Sequence, residues 1–151
     1  ADALETAKAL LEKSAGKLVL PVDMVIANAF DAEAEKKTIP VGNVPAGWRV
    51  LDIGPETVRL FGREIANAGT IVWNGPMGVF EFPRFAEGTF AVAKEVADSK
   101  AISVIGGGDS VAAINQSGLS DKITHISTGG GASLEMLEGL ELPGLAVLAD
   151  K

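Results

Sequence analysis

The chain has 151 residues, enough for one ordinary domain with one core, and its 47% apolar and 22% charged residues set it apart from disordered sequences. It has no cysteine, which excludes a disulfide framework, an Fe–S cluster and cysteine-ligated zinc, and its one histidine, His125, would have to be the base of any Ser-His-Asp arrangement. A formal net charge of −7 disfavours nucleic acid and anionic lipid as partners, so any phosphate site must act locally; no apolar run approaches the roughly 20 residues that span a bilayer, and without a signal peptide the expected location is cytoplasmic.

Residues 1–15 read as an amphipathic helix with Leu4, Ala7, Leu11 and Ala15 on one face, ended by Gly16. A chain that opens at Ala1, with only Asp2 as lead-in to a helix, is expected of a piece numbered from inside a longer protein. Residues 17–28 (KLVLPVDMVIAN) are apolar and β-rich, and Pro21 argues for two short extended pieces or an edge. Residues 29–51 are expected to be irregular, broken by Pro40, Gly42, Pro45 and Gly47, with 33–37 as a solvated charge run.

Asp52-Ile53-Gly54-Pro55 then opens a helix, with Pro55 at the first helical position and Val58, Phe61, Ile65 and Ala68 at helical spacing. Gly69 closes it, 70–73 (TIVW) is a buried strand and 74–81 (NGPMGVFE) a loop. Pro83 starts the next helix, with Phe82, Ala86, Phe90, Ala93 and Ala97 inward. A strand at 101–105 leads through 106–110 (GGGDS) into a helix ending at Gly118. A strand at 122–127 leads through Gly129-Gly130-Gly131 into a helix ending at Gly139, and 145–148 is a last strand or an extended tail. Helices alternating with short apolar strands imply an α/β fold on a parallel sheet, whose ligands sit at the carboxyl ends of the strands. The loops at 74–81, 106–109 and 129–131 should therefore share one edge.

The pair of triple-glycine turns is the most informative feature. Glycine lets backbone approach a ligand closely, and a helix N-terminus offers unpaired N–H groups and partial positive charge to a phosphate. Taken singly, each turn reads as a tight strand-to-helix connection; two on one edge favour a shared phosphoryl group. Neither is a Walker A loop, since no Lys-Ser/Thr pair follows, and neither matches the dinucleotide fingerprint. Asp109 reads foremost as a helix N-cap, a role compatible with holding Mg²⁺. In the 73–81 loop, Asn74 offers a side-chain amide, Pro76 and Val79 an apolar wall for a base, and Glu81 either a ribose acceptor or a first-turn carboxylate favoured by the helix dipole. His125 reads as structural, and Trp48 and Trp73 as core or loop anchors.

Five strings in order, LPVD at 20–23, LDIGPET at 51–57, VWNGPMGVFE at 72–81, IGGGDS at 105–110 and HISTGGGASLE at 125–135, resemble phosphoglycerate kinases over essentially the whole chain. The resemblance implies reversible phosphoryl transfer between 1,3-bisphosphoglycerate and ADP, giving 3-phosphoglycerate and ATP, by a monomeric enzyme of two α/β domains. It implies that 1–151 is part of the C-terminal, Mg-nucleotide-binding domain, a partial Rossmann-like three-layer unit with a mainly parallel sheet. The N-terminal domain, which binds phosphoglycerate, and the start of the C-terminal one would lie outside the chain. By the same resemblance Asn74, Pro76, Val79 and Glu81 line the ADP/ATP pocket. Gly106, Gly107, Gly108 and Asp109 lie at the phosphates, with Asp109 toward Mg²⁺. Ser110 stands near the transferred phosphoryl, and Gly129, Gly130 and Gly131 form a second helix end that stabilises it alongside Gly107 and Gly108. Val50 departs from the family pattern, standing where many members have glycine against the adenine. The chain by itself is then expected to be inactive. A stand-alone nucleotide-binding module without catalysis and a structural fragment are the competing readings.

Overall fold

The computed structural model describes residues 2–127 and 129–148. Helix α1 (Asp2–Lys13) runs into a turn in which Ala15 and Gly16 both take positive φ, and residues 17–22 follow without ladder pairing. Strand β1 (Asp23–Ala27) begins only after Pro21, so the proline interrupts no ladder. β1 is buried along its whole length and lies at the centre of an antiparallel sheet, order β2-β1-β3, with β2 (Lys36–Pro40) and β3 (Arg49–Ile53). The expectation that 29–51 is irregular is thus corrected. Both strands are short, β3 opens on the exposed Arg49 and Val50 before burying Leu51 and Asp52, and β2 is mostly solvated, carrying Lys36, Lys37 and a terminal Pro40, marks of a protected edge rather than of an apolar run.

From residue 55 onward the helices and strands alternate as the periodicity requires. Helix α2 (Pro55–Asn67) leads to β4 (Thr70–Asn74); a 3₁₀ turn (Pro83–Phe85) precedes α3 (Glu87–Asp98); then come β5 (Ile102–Gly106) and α4 (Gly108–Ser117), which Gly118 ends in the left-handed conformation. A second 3₁₀ turn (Ser120–Lys122) takes the first residue of the strand expected at 122–127, of which only β6 (His125–Ile126) is paired. Helix α5 (Gly130–Leu137) follows, and α6 (Pro143–Ala146) begins before and runs into 145–148, where a last strand or an extended tail was expected, Pro143 opening its first turn. The parallel sheet, order β4-β5-β6, makes the chain α/β.

Helix α3 packs against α2, α4 and β3, and so joins the two sheets. One core cluster, with Trp73, Val92, Val96, Ile105, Ile114 and Ile123, lies on the parallel sheet; another, with Val25, Ala27, Leu51 and Phe85, lies on the antiparallel one. Fully burying a side chain such as Phe85 stabilises by roughly 2–3 kcal/mol. Phe61 and Ile65 of α2 pack on the first cluster as their spacing required. In α1 the apolar face finds no cover, and Leu4 is 62% exposed.

Candidate functional site

The carboxyl ends of β4 and β5 lie side by side, Asn74 opposite Gly106, and Ser127 after β6 donates its N–H to the Ile105 carbonyl at 2.7 Å. The loops after the three parallel strands therefore share one edge. At their junction the two triple-glycine turns touch. A Cβ on Gly130 would lie 2.3 Å from the Gly107 nitrogen, and one on Gly107, whose φ is +87°, would lie 2.6 Å from Asn74 Oδ1. Gly106 is buried beneath this contact, while Gly108 and Gly129 are exposed. The Gly129 turn is sewn by Ser127, whose hydroxyl accepts the Gly129 N–H and meets Ser133 Oγ at 2.8 Å.

A cavity of about 450 Å³ at this edge is lined by Pro76, Val79, Glu81, Phe82 and Asp109, with Phe30 stacked at a tilt on Phe82. A larger one, about 570 Å³, shares Pro76 and Val79 and adds Leu20, Met24, Val50 and Leu51. Pro76, Val79, Glu81 and Asp109 are thus brought together, whereas Asn74 faces the glycine junction instead. Ser110 is buried; its hydroxyl accepts the Gly75 N–H at 2.5 Å, which ties the start of the 75–82 loop to α4. Asp109 is not the cap that its position suggested. Gly107 is the N-cap of α4, no side chain caps it, and the exposed Asp109 carboxylate in the first turn makes no hydrogen bond with the described residues. His125 is exposed on β6, outside both cavities.

The donor set is compatible with Mg²⁺ held chiefly by a ligand's phosphates. Asp109 and Glu81 supply carboxylates to one cavity, and no cluster of three or more His, Cys, Asp or Glu that could hold an ion occurs among the described residues.

A family model described as phosphoglycerate kinase matches residues 1–140. The chain belongs to the phosphoglycerate kinase family. It is similar to the phosphoglycerate kinase of Roseiflexus castenholzii, 59% identical over 152 residues, and to that of Herpetosiphon aurantiacus, 56% identical over 154 residues. These alignments cover 99% and 100% of the chain but 38% and 39% of the relatives, so the chain spans well under half of their length. Among solved structures, phosphoglycerate kinase from Coxiella burnetii superposes with a TM-score of 0.91 at 42% identity, over 96% of this chain and 38% of that one. The Pyrococcus horikoshii enzyme gives 0.83 at 40% identity, over 96% and 36%.

Two buried carboxylates, Asp23 and Asp52, hold the elements around these cavities. Asp23 accepts the N–H groups of Glu56 and Thr57, at 3.0 and 2.7 Å, and the Thr57 hydroxyl at 2.6 Å, so it caps α2 from β1. Asp52 accepts the Gly88 N–H at 2.7 Å and caps α3 from β3. A buried carboxylate is costly unless hydrogen-bonded, and a helix start supplies both donors and a favourable dipole. Burial pushes the Asp23 carboxyl up, but the Thr57 hydroxyl, the two amides and the Arg59 charge outweigh it and hold it below the usual carboxylate range. At Asp52 burial dominates the amide bonds, and the carboxyl is pushed up to about 6. Only the need for an acceptor, not its identity, has a local signal. Gly54 and Ala86, the N-cap residues of α2 and α3, have no side chain able to cap, so each helix needs an acceptor from elsewhere.

Proposed function

We propose that this chain carries part of the Mg-nucleotide site of a phosphoglycerate kinase that transfers a phosphoryl group between 1,3-bisphosphoglycerate and ADP. The observation that carries the reading is the single strand edge on which Pro76, Val79, Glu81 and Asp109 surround one cavity beside the start of α4. The apolar cavity shared by Val50, Leu51, Pro76 and Val79 suits a base; Val50 narrows it where a glycine would leave more room. Glu81 is placed to accept ribose hydroxyls. The N–H groups at Gly108 and Asp109 opening α4, with those of Gly130 and Gly131 opening α5, offer phosphate oxygens unpaired donors at a positive helix end.

Asp109 would hold Mg²⁺ together with the phosphates, and the ion, when bound, would neutralise phosphate charge. The protein's own contribution is orientation and electrostatic stabilisation, which is what phosphoryl transfer chiefly requires. The glycine junction lets two helix ends approach one phosphoryl group. Phosphoglycerate is bound by the N-terminal domain outside this chain, and this chain alone performs no transfer.

Calorimetric titration of the chain with Mg-ADP, and with ADP in excess chelator, tests the reading. Saturable binding that needs the metal and weakens in Glu81→Ala is the expected result. No binding by the wild-type chain, or binding indifferent to Glu81 and Asp109, overturns it as a site formed by these residues.

A further inference from the structure

We propose that Asp52 and Thr89 are positioning residues that fix the 76–79 segment through the first turn of α3; its consequence for ligand rests on the nucleotide reading above. Thr89 is fully buried, and its hydroxyl oxygen accepts two successive loop amides, Met77 N–H and Gly78 N–H, each at 3.1 Å. A hydroxyl has two acceptor lone pairs, and this one spends both on a single segment. The next amide, Val79 N–H, is held by the Leu51 carbonyl at 2.8 Å. Three consecutive N–H groups of an irregular loop are therefore anchored from outside it, where such groups ordinarily turn to water.

The anchors are themselves tied to Asp52. Gly88, the neighbour of Thr89, donates to Asp52 Oδ2 at 2.7 Å, and Leu51 precedes Asp52 on β3, whose Oδ1 accepts the Ile53 N–H at 2.8 Å. The carboxylate fills space left by two glycines. A Cβ on Gly78 or on Gly88 would lie 2.4 Å from Asp52 Oδ1. One buried side chain thus sets the distance between β3, the start of α3 and the loop. The loop in turn carries Pro76 and Val79 into both cavities and leads directly to Glu81.

Residue-resolved amide hydrogen exchange on the 151-residue chain tests the relay. In the wild type, Met77 and Gly78 should be protected to the same degree as Gly88, because they open with it; exchange at the rate of free loop amides overturns the proposal without any variant. Thr89→Val keeps the branched shape and removes the acceptor. It should lower protection at Met77 and Gly78 at least tenfold while β5 amides hold theirs, and Thr89→Ser should restore it. Asp52→Asn should release the same two amides, although Asp52 bonds neither. A loss confined to Gly88 and Ile53 in that variant would reduce Asp52 to a helix cap and overturn the relay. Mg-ADP titration of the same samples separates the two readings. A relay seen in exchange with no wild-type binding retires the nucleotide reading alone. Binding unchanged when the loop is released retires the positioning role.

Discussion

At the scale of single residues, charge and burial separate Asp109 from Asp52. Asp109 is exposed and caps nothing, so Asp109→Asn in the complete enzyme should shift the Tm by no more than about 1–2 °C, as surface substitutions do. Asparagine is neutral and a poorer Mg²⁺ partner, so affinity for Mg-ADP should fall on the order of tenfold, or about 1.4 kcal/mol, with metal-free ADP little affected. Calorimetry with and without chelator reads both, and wild-type affinity in the variant would remove Asp109 from the site. Asp52 is 1% exposed, and its folded carboxyl takes up a proton at about 6 against an ordinary value of 3.8. Between these values the folded state binds more protons than the unfolded one, so this group's contribution to stability is present below pH 4 and is lost as pH rises through about 6. Asp52→Asn does not titrate. Its stability relative to wild type should therefore rise from pH 4 to pH 7 by up to about 3 kcal/mol, read as the difference between urea unfolding curves. Asp23 has the opposite sign but is common to both proteins and cancels. A pH-independent difference would show that Asp52 is ionised throughout.

At the scale of elements, the glycines of the second turn are not equivalent. Gly130 opens α5 against the backbone of Gly107, where a Cβ would meet the nitrogen at 2.3 Å, whereas nothing lies within 4 Å of a Cβ on Gly131. Gly130→Ala should destabilise by roughly 1–3 kcal/mol, the usual range for overpacking, by prising α5 away from β5. Gly131→Ala, one residue on in the same helix, should stabilise by up to about 1 kcal/mol through helix propensity. Thermal melts of the two variants should move in opposite directions. Equal losses would mean that the first turn of α5 does not rest on Gly107 as described. The close approach brings the N-termini of α4 and α5 to one place.

At the scale of the whole molecule, apolar surface is left open at both ends of the described chain. Leu10 and Leu11 on α1, and Leu140, Leu145, Val147 and Leu148 near α6, are all more than half exposed. The chain also spans only 38% of the length of its Roseiflexus relative. Sedimentation velocity at rising concentration should therefore show self-association of the isolated chain, and a single monomeric boundary throughout would contradict the idea that these faces need cover. A coupled assay should show no turnover, because a missing positioning element can remove many orders of magnitude of rate. Activity in material free of host enzyme would overturn that.

The alternation of helix and strand from 55 to 139 was legible in the chain because its signals are local: helical spacing of Phe61 and Ile65, Pro55 at a first turn, and Gly118 and Gly139 where positive φ ends a helix. The placing of three loops on one edge followed from that alternation, since parallel strands put their carboxyl ends together. The strands in 29–51 were not legible, because β2 is short and mostly solvated, β3 is short with only Leu51 and Asp52 buried, and both are defined by pairing with β1. Nor were the roles of Asp23, Asp52 and Thr89. Asp23 meets Thr57 across 34 residues, and Asp52 meets Gly88 across 36. An aspartate beside a helix start reads locally as that helix's own cap, and only tertiary packing decides which distant N–H groups it satisfies. Asp109, which looked like a cap, caps no helix, while Asp52, which looked like the lead-in to α2, holds α3.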